Sequence, residues 1–504
     1  MYSYHNFMFP FRFDKVSCEF NGDDRHEFYK EVKFDDRVVI DDEFKKNLEN
    51  NGWEYKKFEI NSSLDYNEFV YFHDFVKDSL YNLKEFEVGA TSYYFEKKDI
   101  NNKFNLIIKG KEYDLKLTSI SLRIFDTGIG ILSIEAENHE NESLEDILKI
   151  NDFARRVYPQ FLGENFDVSK TQEAFLPSKI KIDKYEENFS NFADEVKQKP
   201  FVKIGNHILG ILGDTFSQTF KKDKYLIQPI LDDRMFLVCL TKNKDLENKL
   251  INNNYETNDD WYKYVFVDSS EKTVFSNNMQ TELIIKSTYD RWMDYKWGLT
   301  LFGITRYSFV ALSGNSLLEN HIKTMYYQMA TILLATRASI LRFSDEITAI
   351  SDISDNPSDR IENLYKNYLR FKNKLYFKEI TAQEQGLELY DKAREIMRID
   401  SDINDLAIEI SSLNNFAFVL DEKEEKKEMN KLTKLGTIFI PGTFIAGIFG
   451  MNVFPEKALD NIVGTLFAFF LISIITYIIT KNNNIDLLSF IKNGKLEDKK
   501  NDSK

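Results

Sequence analysis

The chain has 504 residues, enough for more than one domain. Its net charge of -15 excludes a general nucleic-acid binder, which needs a basic face to neutralise phosphates. The only cysteines, Cys18 and Cys239, lie far apart, which excludes a disulfide framework or a zinc signature and suits a reducing compartment.

The N-terminal stretch MYSYHNFMFPFRFDKV has no basic segment followed by an apolar one, so no signal peptide is expected. Residues 1–312 alternate strand and helix signals and are expected to form one α/β domain. Asn102 to Glu137 predicts a β-meander with turns at Gly110-Lys111 and Asp126-Thr127-Gly128. Leu144 to Tyr158 predicts a helix. YLIQPILDDRMFLVCLT, KYVFVDSS and GITRYSFVALS predict further strands.

Catalytic signals are sparse here, and no enzyme is expected. Asp126-Thr127-Gly128 has the letters of an aspartic-protease loop, but a second copy is missing and a hairpin turn explains it better. Ile204 to Asp214, IGNHILGILGD, lacks the Lys-Ser/Thr of a P-loop. The six histidines are scattered. YDRWMDYKWG, Tyr289 to Gly298, gathers aromatic and charged residues. Arg291, Trp292 and Trp297 could stack on and hydrogen-bond a nucleotide there, the alternative being an ordinary core edge.

Asn320 to Thr348 predicts a strong helix, and Asn356-Pro357-Ser358 opens another, with proline near the first turn. The two are expected to form a helical hairpin over 313–381, packed along a stalk helix over 382–434, the alternative to a single stalk being several shorter helices with loops. Ile399, Ile403, Leu406, Ile410, Leu413 and Leu420 give that stalk an apolar seam.

Two uncharged runs follow, 435–455 and 462–480. Each is close to the roughly 20 residues that cross a bilayer core. The alternative is a pair of buried core helices. Their linker is too short to cross back, so both ends of the pair face one side. Lys423, Lys426, Lys427, Lys431 and Lys434 before the first run and Lys481 after the second place that side in the cytoplasm. The tail, 481–504, is then cytoplasmic too.

Along the first run, Met429, Leu432, Gly436, Ile440, Thr443 and Gly447 recur at about 3.6 residues, the helix period. This face is small or apolar with one hydroxyl, and would let several copies approach a common axis. Ordinary helix packing is the alternative. Pro441 lies within it and is expected to kink the helix.

Thr437 to Asn452, TIFIPGTFIAGIFGMN, resembles the first transmembrane helix of the CorA magnesium channels. In that family the helix ends in Gly-Met-Asn at the outer mouth, before a short loop and one further span. Gly450, Met451 and Asn452 match the triplet. Phe449 stands where the family usually has tyrosine, and Lys426 where it often has asparagine at the inner mouth.

The resemblance implies a homopentamer in the inner (plasma) membrane that passes divalent cations. Its fold would be an α/β cytoplasmic domain, a long helical stalk and two transmembrane helices. Gly450 and Asn452 would hold the hydration shell of Mg²⁺ without stripping it. Met429, Leu432 and Ile440 would form constrictions. Mg²⁺ would be cargo or regulator, and Asp391, Asp400, Asp402 and Asp405 are the stalk candidates for holding it.

The N-terminal part is longer than in ordinary members. It resembles the enlarged CorA-like effectors encoded beside type III CRISPR systems. That likeness implies gating by a nucleotide messenger of the adenosylmethionine–AMP type. An ordinary Mg²⁺-regulated uptake channel and a non-conducting scaffold are the alternatives.

Overall fold

The computed structural model describes residues 2–16, 40–83, 90–158, 176–189, 204–252, 254–269, 272–293, 299–351 and 358–450, with positions 464, 467, 470, 471 and 474. It divides into Met1–Asn414 and Asn415–Lys504.

The first unit is built on a 14-stranded sheet among the described residues. Its central strand, β1 (Ser3–Lys15), pairs antiparallel along one edge with β6 (Ile129–Asn138). Along the other edge it pairs first with β11 (Phe236–Thr241) and then with β10 (Tyr225–Pro229). Pro10, which has no N–H to give a ladder, sits between the last β11 partner, Met8, and the first β10 partner, Phe11.

Strand periodicity sorts β1 into two faces. Phe7, Phe9, Phe11 and Phe13 enter the main hydrophobic core. Phe13 meets the rings of Phe44, Phe216 and Tyr225 at 6.1, 6.1 and 6.0 Å. Such pairs add about 1 kcal/mol each beyond their area. The other face of β1 and β6 carries the long helix Met325–Ser351.

The expected meander is present as β4 (Lys103–Ile108), β5 (Lys111–Phe125) and β6. The first turn centres on Lys109 and Gly110, at φ of 48° and 81°, one residue earlier than expected. A two-residue hairpin with both centres left-handed matches the strand twist. The helix expected at 144–158 is Leu144–Phe153, capped by the Ser143 hydroxyl.

KYVFVDSS is not a strand. Asp259–Phe266 is a helix whose N-cap, Asn258, accepts from the Trp261 N–H. Its aromatic and β-branched residues look strand-like in a short window. The cap and the two leading aspartates start a helix that buries Trp261, Tyr262, Tyr264 and Val265. GITRYSFVALS is not one strand but the end of β13 (Thr300–Ile304) and all of β14 (Ser308–Ser313), paired antiparallel.

The helix expected at 320–348 is two, Ser316–Lys323 and Met325–Ser351, because Thr324 leaves the helical region at φ −119°, ψ −94°. The next, Ser358–Lys374, packs on Met325–Ser351 with Phe343 5.4 Å from Phe371.

The single stalk helix expected from 382 is two helices instead, as in the alternative of shorter ones. Glu384–Met397 ends at Arg398, whose φ of 58° is left-handed, and a new helix runs Ile399–Gly450. Its 52 residues span about 78 Å. Ile399, Ile403, Leu406 and Ile410 are buried, as their spacing predicts. Leu413 and Leu420 are only half-buried.

Candidate pore helix

The upper part of Ile399–Gly450 carries the residues proposed to line a pore. The helix is unbroken through Pro441, which withdraws a donor from the Thr437 carbonyl. Hydroxyls fold back onto the backbone along the way. Thr433 donates to the Met429 carbonyl at 2.8 Å, Thr437 to Thr433 at 2.8 Å and Thr443 to Ile440 at 3.0 Å. A helix in a low-dielectric medium has to satisfy its polar groups internally, and these bonds do so.

Met429, Leu432 and Ile440 are 63–66% exposed in the single chain, and Thr443 and Gly447 are exposed too. An added Cβ at Gly436 would meet only the Ile440 side chain, at 3.6 Å, and at Gly447 nothing within 4 Å. Leu435 and Phe439, on the flank of this arc, are also exposed. The apolar surface therefore extends beyond the predicted face. The helix is described as far as Gly450; Met451 and Asn452 lie outside the described residues.

Among the described residues no helix is long and apolar enough to cross a membrane. The first expected span, 435–455, leaves the described residues after Gly450. The second, 462–480, is described only at Gly464, Phe467, Phe470, Leu471 and Ile474, which are helical and exposed.

Midway along the helix, Lys426 pairs with Glu422 at 2.7 Å and holds that carboxyl below its usual range. Glu422 and Lys426 thus offset each other.

Three of the four stalk aspartates, Asp391, Asp400 and Asp402, are paired with arginines. Arg394 binds Asp400 and lies 3.3 Å from Asp391, and Tyr376 donates to Asp400 at 2.8 Å. Asp402 is 3.7 Å from Arg398, and Asp405 is exposed. Among the described residues of one chain, no group of three or more His, Cys, Asp or Glu is placed to hold a metal.

The aromatic segment is divided. Arg291 pairs with Glu384 and Glu388 and stacks over Trp292 at 5.4 Å. Trp292 is 43% exposed, and Trp297 lies outside the described residues.

Sequence reasoning passed over a polar cavity of about 570 Å³ in the first unit. Its walls include Glu68, Tyr94, Arg123, Glu135 and Gln328. They come from five separate elements, so no local motif marks it. The available signal is Arg123 amid the apolar residues of SISLRIF.

Residues 316–480 match a family of membrane transport proteins. The family is that of the CorA-like Mg²⁺ transporter protein, and the match covers about a third of the chain. The stretch before residue 316 lies outside the match. No curated protein matches the chain significantly.

Proposed function

We propose that the chain is one subunit of a homopentameric divalent-cation channel, and not an enzyme. The family match carries this reading, because it spans the helices, the small-faced apolar segment and the Gly-Met-Asn triplet together. In this reading residues 435–455 and 462–480 cross the plasma membrane with both termini in the cytoplasm. Asn452 and the Gly450 carbonyl form the outer mouth, where neutral oxygens accept hydrogen bonds from the waters of Mg²⁺. Met429, Leu432 and Ile440 close the pore by dewetting.

The finer reading is that the large N-terminal domain gates the pore on binding a nucleotide messenger of the adenosylmethionine–AMP type, as a CRISPR-associated antiviral effector. It is supported by the size of the domain and by its lying outside the family match. The stalk aspartates remain candidates for Mg²⁺ held between subunits.

The test is Mg²⁺ flux into liposomes carrying the full chain, with and without adenosylmethionine–AMP. Flux that needs the messenger supports both readings. Flux governed by Mg²⁺ alone retains the channel and removes the messenger. No flux in any condition leaves a scaffold.

A further inference from the structure

Three large apolar side chains stand at an equal interval along the helix Ile399–Gly450. Phe418, Met429 and Ile440 follow one another at eleven residues, and they are 71%, 63% and 66% exposed in the single chain. Eleven residues make about three turns with roughly 20° over, so the three share one face at steps of about 16 Å. Met429 and Ile440 have a place in the channel reading; Phe418 has none.

Phe418 lies too far down the helix to be covered by lipid. The eight residues from Asp421 to Glu428 are all charged, and the uncharged run begins only at Leu435. Phe418 is thus about 25 Å below that run. A large exposed apolar side chain on such a rod marks a contact with another protein surface. Phe416 and Val419 are exposed as well, at 52% and 45%. They are out of phase with Phe418, by about 160° and 100°.

The lysines show which way the face points. Lys423, Lys427, Lys431 and Lys434 are all exposed and recur at gaps of four, four and three. By the same arithmetic they lie about 140–180° from Phe418. Strongly hydrated ammonium groups belong on the water side of a bundle, which leaves the Phe418 face for its axis. The buried seam of Ile403, Leu406 and Ile410 is elsewhere again, about 60–120° from Phe418. Glu422 and Glu425 come close to the Phe418 phase, between it and Met429, and Glu422 is paired with Lys426 at 2.7 Å.

We infer that Phe418 faces the axis common to the assembled copies of this chain, where its rings close a further apolar constriction below the membrane. The inference rests on the channel reading above and carries the pore face about 16 Å past Met429. Glu422 and Glu425 then stand between two apolar rings. An ion path must be wetted at Phe418 as well as at Ile440.

The full chain carries the test, as Phe418→Cys and, on the opposite face, Lys427→Cys, each combined with Ile440→Ser so that the pore leaks. The parent's own Cys18 and Cys239 set the baseline. Leak from liposomes is measured with and without Cd²⁺ on both sides, a soft ion that thiolates gathered about one axis bind together. We expect Cd²⁺ to block the leak of the Phe418→Cys protein and to leave that of Lys427→Cys, and of Ile440→Ser alone, unchanged. In detergent, a short bifunctional thiol reagent should join Phe418→Cys subunits and not Lys427→Cys subunits. Cross-linked Phe418→Cys in a chain that never leaks would keep the ring on the axis and remove the channel reading. A leak that ignores Cd²⁺, or no more cross-linking than in Lys427→Cys, overturns the assignment.

Discussion

Arg342 donates to the Gly128 carbonyl at 2.8 Å, and a Cβ added to Gly128 would lie 2.2 Å from the same guanidinium. Gly128 also sits at φ 74°. The turn Asp126-Thr127-Gly128 is thus a socket for the helical hairpin. Asp126 pairs with Arg370 at 2.9 Å and Thr127 accepts from Ser339 at 2.8 Å. Arg342 further reaches Asp14 at 2.7 Å, Glu346 at 2.8 Å and the Phe13 carbonyl at 3.1 Å.

Gly128→Ala is therefore expected to cost about 3 kcal/mol or more. About 1–2 kcal/mol comes from the left-handed backbone, and the rest from displacing a buried, paired arginine. Thermal unfolding of the full chain measures it. In an Arg342→Ala background the same substitution should cost less. Equal costs in both backgrounds would mean that the turn and the helix are not coupled.

Glu68 makes stability fall with rising pH. Folded, it keeps its proton up to about pH 7, whereas the ordinary glutamate value is 4.5. Its contribution is complete below 4.5 and is lost as pH rises to about 7, by about 3 kcal/mol at most. Glu68→Gln should flatten that part of the profile. His5 and His207, both lowered to about 4 by burial, act in the opposite sense. Their stabilisation is present above 6.5 and lost as pH falls toward 4. Chemical unfolding at a series of pH values separates the two slopes, and an unchanged slope in Glu68→Gln refutes the first.

Asn452→Ala should abolish Mg²⁺ flux or its discrimination against larger divalent ions while leaving the oligomer assembled. Flux in liposomes and size-exclusion of the detergent-solubilised protein check the two halves. Unaltered selectivity would remove Asn452 from the mouth.

Ile440→Ser should raise the basal leak, since dewetting depends on the polarity of the wall. The side chain is 66% exposed among the described residues of a single chain, so the substitution disturbs little of their packing. A tight closed state with serine there would mean that another face of the helix lines the pore.

Local signals told most about the helices and the meander. The buried seam Ile399, Ile403, Leu406 and Ile410 follows directly from a 3.6-residue period. Lys109-Gly110 and Gly128 are turn residues whose conformations only a short menu of side chains accepts. The central strand was harder to see, because β1 is buried on both faces and its Phe alternation is interrupted by equally buried Met8 and Pro10. Arg398 was missed for a different reason. Arginine is a good helix former, and nothing in its neighbours announces a left-handed residue. The cavity was beyond reach, since Glu68 and Gln328 are joined by a single hydrogen bond across 260 positions.

Arg398 also marks a place to cut. Glu384–Met397 closes on it with two backbone bonds, to the Arg394 and Glu395 carbonyls, and the next helix opens with Asp400 and Asp402 in its first turn. The Arg398 N–H thus closes the first helix while its carbonyl accepts from the Asp402 N–H at 3.0 Å to open the next, so one residue serves both ends. A chimaera joined here would keep Ile399–Gly450 as one helix, and the incoming part would have to cover Ile399, Ile403, Leu406 and Ile410, which are buried; a junction twenty residues later would splice through the helix itself.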